Sequence, residues 1–273
     1  MVGLIPFFEA PILEIGPVVI DPWATLVAVG FILGLEMARA RGIREGLAVP
    51  DVVDGTVFTV GMGFVVGHLV HVLAYNPHQI AEQGVMALLR IWAGFSSTGG
   101  FLGAVLGSVL FYTVIRKRPF WPHADAIMFG FPFGWTFGRL GCFMAHDHIG
   151  RPTDFFLAVD FPGSWGGPRH DLGLYEALWT AGIALTFWLL RNRSVRPGFF
   201  LGMWCFLYAP ARFGMEFLRN TDLAGADVRW LGLTPAQYGA LLTAVAGLWL
   251  VRRGTMAAPD EESVADTGAS VAS

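Results

Sequence analysis

The chain has 273 residues, 54% of them hydrophobic and only 14% charged, with mean hydropathy +0.55 and a formal charge of −3 at pH 7. These values exclude an ordinary soluble domain and predict an all-α polytopic membrane protein. No basic-aromatic patch points to nucleic acid, and no phosphate loop, nucleophile elbow or dinucleotide fingerprint is visible, so no cofactor is expected.

A helix needs about 20 mostly apolar residues to cross the hydrocarbon core. Seven windows qualify, at residues 18–38, 53–74, 99–115, 124–144, 172–190, 198–217 and 236–251. The second carries His68 and His71, and the short third needs Phe95 to Thr98 to complete it. Basic clusters follow the first (Arg39, Arg41, Arg44), third (Arg116, Lys117, Arg118), fifth (Arg191, Arg193, Arg196) and seventh (Arg252, Arg253) windows. All four fall on one side of a seven-span chain, which the positive-inside rule makes cytoplasmic. The N-terminus is then outside and the C-terminus cytoplasmic. No basic residue precedes Arg39, so the first helix is expected to be retained.

Residues 1–254 read as a single transmembrane domain, and 255–273, with Asp260, Glu261, Glu262 and Asp266, as a disordered acidic cytoplasmic tail. The longer connections lie on the external side. Residues 76–95 contain an apolar patch at 85–92 suited to the membrane interface. The run Pro162-Gly163-Ser164-Trp165-Gly166-Gly167-Pro168 reads as turns, and 220–234 forms a third external connection. Cys142 and Cys205 fall at different expected depths and are read as unpaired.

Charged groups inside the apolar windows carry the chemistry. Arg139 sits inside the fourth window and Arg212 inside the sixth, where an arginine costs at least about 2.5 kcal/mol and usually faces a polar cavity. A guanidinium is always charged and offers a donor fork that matches a phosphate. Arg212, Glu216 and Arg219 share one helix face, which suits either an anion site or simple neutralisation of Arg212 by Glu216. Gly99, Gly100, Gly103 and Gly107 permit close approach, most simply of another helix. Gly138 and Gly141 flank Arg139 and leave room around it, and Pro210 is expected to bend the sixth span. His68, His71, His146 and His148 with Asp147 offer metal ligands or a general base; the preferred reading is that they line an externally open cavity, with no metal.

The run Gly138-Arg139-Leu140-Gly141-Cys142-Phe143-Met144-Ala145-His146-Asp147-His148-Ile149-Gly150-Arg151 resembles the signature of the prolipoprotein diacylglyceryl transferase family, Gly-Arg-(Ile/Leu)-Gly-Asn-Phe-Ile-Asn-Gly-Glu-x-x-Gly-Arg. The resemblance extends to Ile15-Gly16-Pro17, Tyr75-Asn76, Thr98-Gly99-Gly100-Phe101-Leu102-Gly103, Arg169-His170, Leu174-Tyr175-Glu176, Tyr208, Arg212, Glu216-Phe217, Arg219 and Gln237. It implies seven spans in the bacterial inner membrane with the active side outside. It also implies transfer of diacylglyceryl from phosphatidylglycerol to the lipobox cysteine of a preprolipoprotein. Arg139 and Arg212 are implied to hold the phosphate. Gly150, Arg151, Thr98, Gly99, Gly100, Glu216, Arg219, Tyr75 and Asn76 are implied to complete the substrate site.

The departures bear on catalysis. Thr98 stands where the family has His, Cys142 and Ala145 replace two asparagines, and Asp147 replaces Glu. Trp23 stands for a tyrosine, His68 for an arginine, His71 for a tyrosine, and His170-Asp171-Leu172-Gly173 for His-Pro-Ser-Gln. One reading is an active transferase whose base has moved to His146, His148 or His68, with Asp147 beside them. The other is a non-catalytic or altered-acceptor relative that binds anionic phospholipid. A transporter lacks the expected inverted pair of broken helices.

Overall fold

The computed structural model describes residues 5–253 apart from 17, 92 and 224–228. The acidic tail expected at 255–273 lies outside the described residues. Long helices occupy all seven apolar windows: α1 (Pro22–Arg44), α2 (Val49–Val70, extended by a π turn at His71–Tyr75), α5 (Ser97–Val109, extended by a π turn at Leu110–Ile115), α6 (Phe120–Ala145), α7 (Leu172–Leu190), α8 (Phe199–Met215) and α9 (Pro235–Arg252). Two short helices, α3 (His78–Gln83) and α4 (Met86–Leu89), lie between α2 and α5. Four segments, Pro22–Arg44, Val49–Tyr75, Ser97–Ile115 and Leu172–Leu190, are long and apolar enough to cross a membrane.

The first window begins late as a helix. Leu13–Ile15 (β2) and Val18–Ile20 (β3) pair as an antiparallel hairpin, and α1 starts only at Pro22. Asp21 caps it, its carboxylate accepting from the N–H of Trp23 (2.7 Å) and Ala24 (3.2 Å), with Pro22 preset for the first turn. The all-α expectation also needs correction. Ile5–Pro6 (β1), Val159–Asp160 (β5), Pro168–Asp171 (β6) and Ile149–Pro152 (β4) form a four-stranded sheet in the order β1-β5-β6-β4. Strands this short carry too little alternation to stand out from loop sequence.

Glycine sets how closely the helices approach. A Cβ on Gly30 would lie 2.6 Å from the Gly134 carbonyl oxygen, and one on Gly134 2.7 Å from that of Gly30, so α1 and α6 cross backbone to backbone. On α5, a Cβ on Gly99 would lie 2.6 Å from Val70 Cβ, and one on Gly107 2.6 Å from Met62 Cβ, so the glycine row packs against α2. Phe129, Ile183, Phe187, Phe200, Trp204 and Tyr208 form the buried cluster joining α6, α7 and α8.

The basic clusters meet at one end of the bundle. Arg41 donates to the carbonyls of Arg191 (3.1 Å) and Arg193 (3.4 Å), Arg118 pairs with Asp51 at the start of α2 (2.7 Å), and Arg253 lies over Trp121 at the start of α6. The sheet caps the opposite end, around the close of α6 and the start of α7. On the loop between α2 and α5, Val85, Met86, Leu89 and Ile91 expose an apolar patch.

Candidate active site

α6 ends where its sequence signature does. His146 adopts a left-handed conformation (φ 48°), which closes the helix and turns the chain toward β4. β6 then leads directly into α7 through Asp171, whose carboxylate caps the helix by accepting from the Leu174 N–H (3.1 Å). A Cβ on Gly173 would lie 2.8 Å from the Phe143 nitrogen, so the first turn of α7 rests against the last of α6. This contact brings Glu176 of α7 under Arg139 of α6.

Glu176 is the centre of the site. Its Oε1 lies 3.0 Å from Arg139 Nε, accepts from Tyr208 Oη (2.6 Å) and accepts from Trp135 Nε1 (3.0 Å). Its Oε2 lies 3.8 Å from Arg212 Nε. Tyr208, Arg212 and Glu216 follow one another at four-residue spacing along α8 and its 3₁₀ extension, so one face delivers all three. Arg212 Nη1 pairs with Glu216 Oε1 (2.6 Å), Arg219 Nε lies 4.0 Å from the same oxygen, and Thr234 donates to Glu216 Oε2 (2.9 Å). The Arg139 guanidinium stacks 4.7 Å from the Trp135 ring centroid. Arg139, Glu176 and Glu216 are all buried.

Arg139 Nε, though close to Glu176, has no aligned hydrogen-bond acceptor. Its Nη1 instead reaches His148 Nε2 at 3.1 Å. A guanidinium only donates, so this contact makes Nε2 the acceptor and leaves the proton of a neutral ring on Nδ1, which donates to Asp147 Oδ1. Asp147 in turn lines a cleft of about 370 Å³ between Ala10, Ile12, Trp23 and Met144. Cys142 Sγ lies 3.9 Å from the same Arg139 Nη1, and both cysteines are unpaired.

The structure separates the other candidates. His146 Nδ1 bonds Asp171 Oδ2 (2.8 Å) and its Nε2 bonds the Phe8 carbonyl (3.1 Å), so this buried ring ties the N-terminal segment to the head of α7. His68 spends both nitrogens on the carbonyls of Ala87 (2.9 Å) and Gly94 (3.1 Å), pinning the loop before α5. His71 meets Asn76 Nδ2 at 3.2 Å. The shared cavity expected for these histidines is therefore not formed. Thr98 and Tyr75 are exposed. Gly99 packs on α2, and a Cβ on Gly100 would lie 2.5 Å from the Phe95 ring.

Gly150 and Arg151 lie on β4. Gly150 bridges to Arg219, and a Cβ there would lie 2.6 Å from the Leu218 carbonyl oxygen, so glycine lets this strand approach the end of α8. Arg151 is exposed, whereas Arg169 is buried, donating to the Gly150 carbonyl (3.2 Å) and pairing with Asp222. That pairing holds the Asp222 carboxyl below its ordinary range. Burial, reinforced by the charge of Arg151, holds the His170 imidazole below its ordinary pKa. His170 Nδ1 meets Tyr175 Oη at 2.9 Å.

Glu176, Tyr208 and Trp135 were not singled out as site residues from sequence. A signal existed, because Glu176 is the only charged residue in Leu172–Leu190. The burial penalty that marked the two arginines applies to it equally.

A family model described as prolipoprotein diacylglyceryl transferase matches residues 11–253. The phosphatidylglycerol–prolipoprotein diacylglyceryl transferase of Solidesulfovibrio magneticus is 34% identical over 265 residues, 94% of this chain and 98% of that protein. The enzyme of the same name from Nitratidesulfovibrio vulgaris is 32% identical over 261 residues (93% and 96%). That from Pasteurella multocida is 34% identical over 223 residues (80% and 81%). The chain belongs to the prolipoprotein diacylglyceryl transferase family.

Proposed function

We propose that this protein transfers the diacylglyceryl group of phosphatidylglycerol to the thiol of a lipobox cysteine in a preprolipoprotein, releasing glycerol phosphate. The observation that carries the site assignment is one buried carboxylate shared by two guanidiniums: Arg139 Nε lies 3.0 Å from Glu176 Oε1 and Arg212 Nε 3.8 Å from Glu176 Oε2. Two guanidinium forks gathered at one point suit the oxygens of a phosphodiester.

In the reaction the thiolate sulfur attacks the glycerol carbon that bears the phosphate. A carbon–sulfur bond forms, the carbon–oxygen bond breaks, and the electron pair leaves on the phosphate. His148, oriented by Asp147 with Nε2 unprotonated, takes the thiol proton. Arg139 and Arg212 stabilise the charge that grows on the departing phosphate. The lipid phosphate competes with His148 for Arg139, so docking of the lipid exposes the basic nitrogen as the reaction needs it.

All seven long helices cross the inner membrane in this reading, with the basic end cytoplasmic and the sheet outside. The one-sided meeting of the arginine clusters supports it. Phosphatidylglycerol vesicles, a lipobox peptide and the purified protein test the activity: a mass gain of one diacylglyceryl group on the peptide is expected. An unmodified peptide, together with failure to restore lipoprotein processing in a strain depleted of its own transferase, overturns the assignment. A fusion near Gly166 that reports cytoplasm overturns the orientation.

A further inference from the structure

We infer that Cys142, Asp147 and His148 form a binding site for a soft divalent cation of the zinc class. One sulfur, one carboxylate oxygen and one imidazole nitrogen from these residues all lie within 4.8 Å of one another. Tetrahedral zinc at bond lengths of about 2.0–2.3 Å separates its ligands by roughly 3.3–3.6 Å. Closing the set therefore takes up to about 1.5 Å of side-chain movement. That freedom exists: the Asp147 side chain is 43% exposed and that of His148 25% exposed.

Ligand chemistry fits the same ion. A thiolate and an imidazole select zinc over the hard, oxygen-seeking magnesium or calcium. The thiolate and the carboxylate supply two negative charges against two positive. Arg139, whose Nη1 lies 3.9 Å from the sulfur, has to release His148 as the ion enters, and its contact with Glu176 holds it nearby. Three protein ligands leave a fourth position for a water molecule, and one of the three, Asp147, also lines the neighbouring cleft.

One consequence rests on the reading of His148 as the base. A neutral imidazole has a single basic lone pair, and a metal on either nitrogen consumes it. The bound cation therefore switches the transferase off.

Cobalt(II) added to the full-length protein in detergent tests the site without reference to activity. A thiolate-to-cobalt absorption band saturating at one equivalent is expected. It should vanish in Cys142→Ser and persist in Cys205→Ser. His148→Gln and the exposed Asp147→Asn should each weaken binding by about tenfold or more. Absence of the band, or its loss in Cys205→Ser alone, overturns the site. In parallel, zinc should stop transfer to a lipobox peptide, and a chelator should restore it. Cobalt binding with no inhibition by zinc upholds the site and overturns His148 as the base.

Discussion

The two ends of the helical bundle both bury arginine, and they use it differently. At the basic end Arg41 meets Glu45 (2.5 Å), two backbone carbonyls and the Phe200 ring. Two of its three acceptors are main-chain carbonyls of the turn between α7 and α8, so the guanidinium fastens α1 to that turn. At the other end Arg139 also stacks on an aromatic ring, but its polar partners are side chains: Glu176, shared with Arg212, and His148. Stacking does not distinguish the two sites; the nature of the acceptors does. A guanidinium bound to main-chain carbonyls holds structure, whereas one bound to a shared carboxylate and an imidazole can exchange a partner for a ligand oxygen.

The sharpest test of this contrast is the pair of histidines two residues apart. His148→Ala removes the proposed base and should lower transfer to a lipobox peptide about 10²–10⁴-fold, with normal amounts of protein in the membrane. His146→Ala removes the link between Phe8 and Asp171. It should lower thermal stability in detergent and leave turnover per folded molecule within a few-fold of wild type. Equal losses of turnover in both variants would erase the distinction.

Lysine substitutions give the next largest effect. Arg139→Lys or Arg212→Lys keeps the charge and loses the fork, and should cut phosphatidylglycerol turnover at least tenfold, about 1.4 kcal/mol. Arg41→Lys makes the same chemical change at the basic end, where one amine cannot reach Glu45 and both carbonyls. It should lower the melting temperature while turnover per folded molecule holds. If Arg41→Lys costs as much turnover as Arg139→Lys, the two ends are not functionally distinct.

Much of this organisation was legible in the sequence, for identifiable reasons. Hydropathy marked seven helices because each needs a long apolar run, and for α7 the window and the helix coincide at Leu172–Leu190. Arg139, Arg212 and Glu216 stood out because charge is expensive at membrane depth. The sheet was not legible: Ile5–Pro6 pairs with Val159–Asp160 across most of the chain, and two-residue strands leave no periodic trace. Nor could spacing separate His146 from His148. The left-handed residue that ends α6 sends the two rings to different partners, His146 to Asp171 and the Phe8 carbonyl, His148 to Asp147 and Arg139.

The smallest expected effect lies in the sheet beside the site and depends on pH. His170 is held below its ordinary pKa by burial and by Arg151, so the folded protein resists its protonation. The unfolded chain takes up that proton near pH 6.5. Above this value the residue contributes no pH dependence. As pH falls below it, the unfolded state binds more protons than the folded one, and stability declines until the folded ring also titrates. Asp222 does not contribute in this window, because its carboxyl is already held below its ordinary value of 3.8. Thermal unfolding followed by tryptophan fluorescence should therefore show stability falling between pH 7 and 5, with a shallower fall in His170→Gln. The glutamine amide can still bond Tyr175, so the variant isolates the charge from the contact. An unchanged slope in His170→Gln would place the acid sensitivity in another group.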